Sequence, residues 1–381
     1  MSDLASVTEI SDAVGSWSAR IGSVKVEHGA GCLVRLGELV AELGGHRAMI
    51  VTDPGICAAG HVDRALQAFR GKSIEAYVFD GVEENPTTEH VETGKQFAVE
   101  HRIDSIVGLG GGSAMDCAKG INFLLTNGGR MEDYWGMNKA TEPMLPSLGV
   151  PTTAGTGSEA QSFALIAQTK THQKMACGDK KAHFQTVILD PELTGTVPYS
   201  IAVATGLDAI SHAIESYVTT ARNPVSQMYA REAWRLMSCS FEASLREPGN
   251  LELRGKMQLG AYLAGAAIEC SMLGAAHACA NPLTAHFNIT HGVAVAALLP
   301  EVVRFNQHEV GEIYADLSPT LADTIDHLRD ATGVEFRLGE LGTDRNSLPE
   351  LATEAATQWT ASFNPRPVSE ADLLRLYEAS F

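Results

Sequence analysis

Asp208 and His212 stand four positions apart in Thr205–Tyr217, TGLDAISHAIESY. In a helix such residues project from one face, so the pair sets a carboxylate beside an imidazole, half of a divalent-metal site. The same spacing also serves a plain Asp–His hydrogen bond that needs no metal. The other half comes from Ala275–Gly292, AAHACANPLTAHFNITHG, where His277 and His291 flank a Pro-containing break. A single histidine in so apolar a stretch reads as a satisfied core residue. Three histidines and an aspartate in apolar helical stretches point to a metal, and this donor set suits Fe2+ or Zn2+ rather than calcium. Such a site polarises an alcohol oxygen and stabilises its alkoxide, or polarises a carbonyl as a Lewis acid.

Two glycine clusters offer a phosphate-bearing cofactor a seat. Gly108–Gly120, GLGGGSAMDCAKG, follows an apolar run and opens a helix. Residues without Cβ allow close backbone approach, and the first helical N–H groups face an anion such as a pyrophosphate. No Gly-Lys-Ser/Thr follows, so this is not a Walker A loop; a tight turn alone would also use these glycines. The second cluster, Thr152–Ser158, follows another strand and adds hydroxyl donors, with a helix start capped by Thr156 or Ser158 as the plainer alternative. Asp53 ends the first strong strand. A carboxylate there can accept from ribose hydroxyls and repel a 2′-phosphate, favouring NAD(H) over NADP, although Thr52-Asp53-Pro54-Gly55 is also good turn chemistry.

The elements that must position these groups change character along the chain. Arg47–Asp53, Glu75–Gly81, Ser105–Ser113, Pro146–Glu159 and Thr186–Leu193 each begin as or contain an apolar strand. Asn85-Pro86-Thr87-Thr88 signals a turn and cap before a helix to about His101, and a second helix is expected through Phe123. Strands alternating with helices imply a parallel sheet covered on both faces. After Pro198, alanine-rich amphipathic stretches dominate and no strand pattern is evident. The expected organisation is an α/β, Rossmann-like dinucleotide-binding domain over 1–198 and an all-helical, metal-binding domain over 199–381, with a cleft between them as the natural ligand site. Leu259–Phe287 is long and poor in charge but holds Glu269, His277, His286 and Asn281-Pro282, which fits a buried core helix better than a membrane span.

Bulk properties narrow the partners. The 381-residue chain carries a formal net charge of −18, which disfavours phosphate backbones and anionic lipid. No nucleic-acid or membrane partner is expected. The seven cysteines are odd in number, scattered and without C-x-x-C, unlike a disulfide framework or a thiolate zinc site. The N-terminus, MSDLASVTEISDAVGSW, has no basic start and no apolar core of a signal peptide. A cytoplasmic protein is the simple expectation.

Together G-G-G-S-x-x-D-x-A-K, T-T-A-G-T-G-S-E, G-x-D-A-x-x-H-A-x-E and the late histidine pair resemble the iron-containing (group III) alcohol dehydrogenase family. The resemblance spans nearly the whole chain, from Gly29–Gly31 to Asn364-Pro365-Arg366-Pro367. It implies a dehydroquinate synthase-like fold and metal ligands at Asp208, His212, His277 and His291. It implies a pyrophosphate loop at Gly110, Gly111, Gly112 and Ser113 with Asp116 following, and a second loop at Thr152, Thr153, Thr156 and Ser158. Asp53 takes the place of the ribose-facing carboxylate. Lys174, in HQKMACGDKK, takes that of a lysine on the nicotinamide side, and this stretch resembles members associated with ethanol oxidation. Many relatives carry a further histidine four residues after the third ligand, proposed as a proton relay; Asn281 stands there instead. An amide can orient substrate or water but cannot shuttle a proton near pH 7.

The resemblance thus implies an NAD-dependent, Fe2+-using dehydrogenase of small primary alcohols, or aldehyde reductase, assembled as a homodimer or larger homo-oligomer. Phe163, Trp135 and His286 are candidate determinants of substrate. The alternatives are a zinc glycerol dehydrogenase or a hydroxyacid–oxoacid transhydrogenase. The four ligand types argue against a metal-free maleylacetate reductase, and a nucleotide- or metal-binding protein without turnover is the reading from a different class.

Overall fold

Apolar runs in the first half form the strands of a seven-stranded sheet in this computed structural model, which describes residues 3–13, 15–171 and 173–381. Met1, Ser2 and the His172 of the HQKMACGDKK stretch lie outside the described residues. Among the described residues the strands are β1 (Trp17–Ile21), β2 (Val24–His28), β3 (Arg47–Val51), β4 (Glu75–Phe79), β5 (Ser105–Gly110), β6 (Gly136–Met137), β7 (Ser147–Pro151), β8 (Phe163–Ala167), β9 (Lys174–Gly178) and β10 (Thr186–Leu189). The large sheet runs β1-β2-β10-β7-β5-β3-β4, and β6-β9-β8 form a second, smaller sheet. All neighbours in the large sheet are parallel except the β1–β2 hairpin. The parallel sheet was expected; the antiparallel edge and the second sheet were not.

The helices of this half are α2 (Leu36–Glu42), α3 (Pro54–Ala58), α4 (His61–Ala68), α5 (Thr88–Glu100) and α6 (Gly112–Asn127), while α1 (Asp3–Ser11) precedes β1. Central strands β5 and β7 are buried at every position, as strands covered on both faces must be. Thr87 caps α5 as its sequence signal implied. Helix α6 runs past the expected end at Phe123, because Gly128, with φ of 72°, is the first residue to leave the helical path. The second glycine cluster leads only into a short 3-10 turn, Ser158–Ala160, so the capped α-helix considered for it does not form.

The second half holds α7 (Tyr199–Val218), α8 (Pro224–Arg246), α9 (Leu251–Cys270), α10 (Ala275–Phe287), α11 (His291–Ala315), α12 (Leu321–Asp330), α13 (Leu348–Thr357) and α14 (Glu370–Ala379). Helix α7 packs against α8, α9 and α11 and is buried along most of its length. The single core helix expected across Leu259–Phe287 is instead α9 and α10, bent by 105° at their junction. Among the described residues no single helix is long and apolar enough to cross a membrane.

By contacts the chain divides into two compact units. One comprises Asp12–Thr153 and Ser158–Val197; the other comprises Pro198–Phe381 together with α1 and the short stretch Ala154–Gly157.

Candidate metal centre and cofactor loops

In the helical unit the four acid and imidazole side chains singled out by spacing come from three helices. Asp208 and His212 lie one turn apart on α7, His277 in the first turn of α10, and His291 at the first position of α11. Gly292 makes the approach possible. A Cβ there would fall 2.1 Å from the Ala204 carbonyl oxygen and 3.2 Å from Asp208 Cβ, so only glycine lets α11 begin against α7 at this depth.

Asp208 Oδ1 is the centre of the cluster. It lies 3.4 Å from His212 Nε2, 3.5 Å from His277 Nε2 and 4.0 Å from His291 Nε2. Ligating atoms of Asp208, His277 and His291 all lie within 4.8 Å of one another. His212 stands outside this three-donor set. Its ring stacks on His277 with centroids 4.9 Å apart and reaches the backbone of Gly155, in the stretch that belongs to the same unit.

Asp208 Oδ1 and His277 Nε2 are buried and make no hydrogen bond. Charge-assisted hydrogen bonds are about 2.7–2.9 Å long, so these groups are too far apart to satisfy one another. Two ligands about 2.1 Å from a common tetrahedral ion would stand about 3.4 Å apart. A buried oxygen and nitrogen left without partners at that separation fit a divalent ion, and so does the nitrogen-and-oxygen donor set.

The charges follow the same geometry. Burial would raise the Asp208 carboxyl, but the imidazoles of His212, His277 and His291 outweigh it and hold the group well below the usual range. Burial pushes His212 down to about 4, against the pull of Asp208. Burial also opposes charge on His277, yet the carboxylates of Asp208 and Glu215 prevail and push it up to about 9.

Glu215 is the residue that sequence reasoning passed over. Its Oε2 lies 2.5 Å from His277 Nδ1 and its Oε1 accepts from the Ala276 N–H at 2.8 Å. The signal was available: positions 208, 212 and 215 are i, i+4 and i+7, one stripe of α7.

The α/β unit carries the other predicted residues. Asp53, Gly111 and Thr152 follow the carboxyl ends of adjacent parallel strands β3, β5 and β7, the edge at which open α/β sheets bind ligands. Asp53 Oδ1 caps α3 by accepting from the Ile56 N–H at 3.0 Å, with Pro54 at the first helical position, so Asp53-Pro54-Gly55 opens a short helix rather than forming only a turn. Gly110, the last residue of β5, accepts from the Thr152 N–H at 2.9 Å, which ties the two glycine clusters together. Gly111 precedes α6 with no side-chain cap, leaving the first amides from Gly112 and Ser113 onward available to an anion. Thr153 lies near Gly111, its Cγ2 and Oγ1 each 3.8 Å from where a Cβ on that glycine would sit. Thr156 falls in the stretch that belongs to the helical unit. Ser158 Oγ donates to the buried Asp116 carboxylate at 3.1 Å. Lys174 begins β9 and is exposed, with Nζ 3.4 Å from Asn85 Oδ1. Asn281, one turn after His277 on α10, donates through Nδ2 to Gln358 Oε1 at 3.0 Å.

Comparison with known proteins meets the same two halves. The family described as iron-containing alcohol dehydrogenase matches residues 23–191, and its C-terminal counterpart, Fe-containing alcohol dehydrogenase family, C-terminal, matches 202–381. Alcohol dehydrogenase 4 of Schizosaccharomyces pombe is 37% identical over 319 residues, covering 84% of this chain and 74% of that protein. The crystal structure of a 1,3-propanediol oxidoreductase superposes with a TM-score of 0.90 at 33% identity, covering 93% of this chain and 97% of that one. A sulfoacetaldehyde reductase from Bifidobacterium kashiwanohense, solved in complex with NAD+, superposes with a TM-score of 0.86 at 27% identity, covering 96% and 99%. On its motifs, its fold and these matches, the chain belongs to the iron-containing alcohol dehydrogenase family.

Proposed function

We propose that the chain is an NAD-linked dehydrogenase of small primary alcohols, working also as an aldehyde reductase, with Fe2+ held by Asp208, His277 and His291 and by His212 as the fourth ligand. The observation that carries this reading is the buried, unpartnered Asp208 Oδ1 with three imidazole nitrogens within 4.0 Å. When bound, the ion supplies Lewis-acid polarisation of the substrate oxygen and the nicotinamide supplies the hydride acceptor or donor.

The chain's own residues do the rest. Asp208 contributes the only carboxylate among the four donors, so its charge offsets part of the ion's. Glu215 holds His277 by Nδ1, leaving Nε2 to face Asp208. The Gly112 and Ser113 amides at the start of α6 offer N–H groups to a phosphate, and Asp53 offers a carboxylate at the end of β3. That carboxylate favours NAD(H) over its 2′-phosphorylated form. Asn281 orients rather than relays, because an amide neither gains nor loses a proton near neutrality.

The test follows NADH absorbance with a panel of short alcohols, diols and aldehydes, after the metal content of the purified protein has been measured. Chelation should abolish turnover and Fe2+ should restore it. Full activity in the chelated protein would sink the metal reading. Glycerol as the preferred substrate, with zinc as the restoring ion, would move the assignment to a glycerol dehydrogenase.

A further inference from the structure

The first turn of α10 is held by more than helix packing. Its preceding residue, Gly274, has no side-chain cap to offer. The N–H groups at this end are met instead by side chains from elsewhere in the helical unit. Ala275 N–H donates to Asn364 Oδ1 at 3.2 Å and Ala276 N–H donates to Glu215 Oε1 at 2.8 Å. Asn364 is itself fixed by a reciprocal amide pair with Asn306, at 2.7 and 3.1 Å, and by donating to the Arg366 carbonyl at 2.7 Å. There is no slack at this junction: a Cβ on Gly274 would fall 2.9 Å from Glu215 Oε1 and 3.0 Å from Asn364 Oδ1.

Into this frame Glu215 brings its second oxygen, 2.5 Å from His277 Nδ1. Both partners are buried. We infer that Glu215 is a positioning residue that sets the tautomer of His277, keeping the proton on Nδ1 so that Nε2 is the nitrogen that gives its lone pair to an ion beside Asp208, while the same carboxylate anchors the helix start that carries the ring. This inference rests on the ion-site reading of Asp208, His277 and His291.

Two donors, the Ala276 N–H and the His277 Nδ1–H, require two acceptor oxygens, and a carboxylate is the side chain that has both. Glutamine has the same shape but one oxygen and one NH2. The backbone amide has no alternative form, so the glutamine oxygen is taken by Ala276. The NH2 then faces His277 Nδ1, which can accept only when the imidazole proton sits on Nε2. That proton occupies the position the ion needs. A carboxylate partner to a ligating imidazole is worth about 10- to 100-fold in metal affinity.

The experiment titrates Zn2+ into the metal-free full-length chain against a chromophoric competitor, for the wild type and for Glu215→Gln, and melts both metal-free proteins. The expected result is a 10- to 100-fold weaker Zn2+ affinity in Glu215→Gln, with a cooperative melt of the metal-free variant showing that it folds, since shape and one hydrogen bond are retained. Zn2+ affinity within twofold of the wild type would overturn the inference. A measurement that needs no variant stands beside it: 15N histidine spectra of the Zn2+-loaded wild type should show His277 protonated at Nδ1, and a proton on Nε2 would overturn the assignment. Failure of the ion-site reading looks different, because the wild type itself would then take up no Zn2+, and the inference would fall with it.

Discussion

Lys119 Nζ donates to the Ser158 carbonyl at 2.6 Å and to the Phe163 carbonyl at 2.8 Å, so the helix that leaves the first glycine cluster holds the residues that leave the second. Lys119 is 2% exposed, and its ammonium lies 3.9 Å from Asp116 and over the Phe184 ring. A buried cation that satisfies two carbonyls and faces a carboxylate is costly to remove, because each group left behind is desolvated and unpaired. Lys119→Met should lower stability by about 3 kcal/mol and weaken NADH binding as the loops lose their strut. Denaturant unfolding and NADH fluorescence titration check both effects; a variant indistinguishable from the wild type in each would show that the strut has no role.

Within the helical unit, Gly157 is seated directly on α9. A Cβ added to Gly265 would meet the Gly157 carbonyl oxygen at 2.4 Å and its Cα at 2.8 Å. The contact is backbone against backbone from the other side too, since a Cβ on Gly157 would fall 2.7 Å from Gly265 Cα, and its φ of 63° is one that glycine adopts and other residues resist. Gly265→Ala should therefore push this loop from its place, with an overpacking cost of about 1–3 kcal/mol. If about 1.4 kcal/mol of that is lost from cofactor binding, the KM for NAD+ rises about tenfold. Steady-state kinetics with NAD+ varied decide this, and an unchanged KM would mean that the loop does not touch the cofactor.

These two relationships mark where sequence reading reached and where it stopped. The apolar runs of β3, β5, β7 and β10 were legible because strands buried on both faces carry little else. The one-sided alternation of Val-Lys-Val-Glu-His in β2 and the short β6, β8 and β9 gave no such run, so the hairpin and the small sheet went unseen. Asp208 and His212 were legible as a pair because their geometry is local to one helix. That His277 and His291 come to within 4.0 Å of Asp208 depends on a 105° bend and on the room left by Gly292, neither of which has a periodic signature. Glu215 sat in a motif already singled out, yet its partner His277 lies 62 residues away and only the folded chain joins them. The grip of Lys119 on two carbonyls was hidden for the same reason, because backbone acceptors have no residue type to read.

Glu159 supplies a pH dependence whose sign is fixed. It is buried, and burial pushes its carboxyl up to about 7, with the Lys119 charge opposing and Asp116 assisting. The unfolded carboxyl titrates near its ordinary 4.5. Between those two values the folded chain keeps a proton that the unfolded chain has released, so this group's contribution is whole below the lower value and is lost as pH rises through the upper one. The loss amounts to about 2–4 kcal/mol. Glu159→Gln is neutral throughout and should match the wild type at pH 4.5 or below but exceed its stability at pH 8. Denaturant unfolding of both proteins at the two pH values measures it, and a constant difference across pH would exclude Glu159 as the titrating group.

Asn281 gives the sharpest test of how protons leave the site. It lies one turn beyond His277 on α10 and is committed to Gln358 through a 3.0 Å hydrogen bond. A side chain in this position that cannot titrate leaves the transfer to solvent, to ribose hydroxyls or to a different side chain, and the pH profile of kcat/KM should then carry no imidazole inflection from residue 281. Asn281→His introduces a group that ordinarily titrates near pH 6.5 at the same place, while its ring can still meet Gln358 Oε1 as a donor. The variant should gain an inflection between about pH 6 and 7 in kcat/KM, with metal content unchanged because none of the four proposed ligands is altered. Measuring metal first separates a true relay from a disturbed ion site: lost metal with lost activity reports damage to α10, whereas retained metal with a new inflection reports proton transfer through residue 281. Superimposable profiles from two fully loaded proteins would show that the side chain at this position takes no part in moving the proton, whichever residue occupies it.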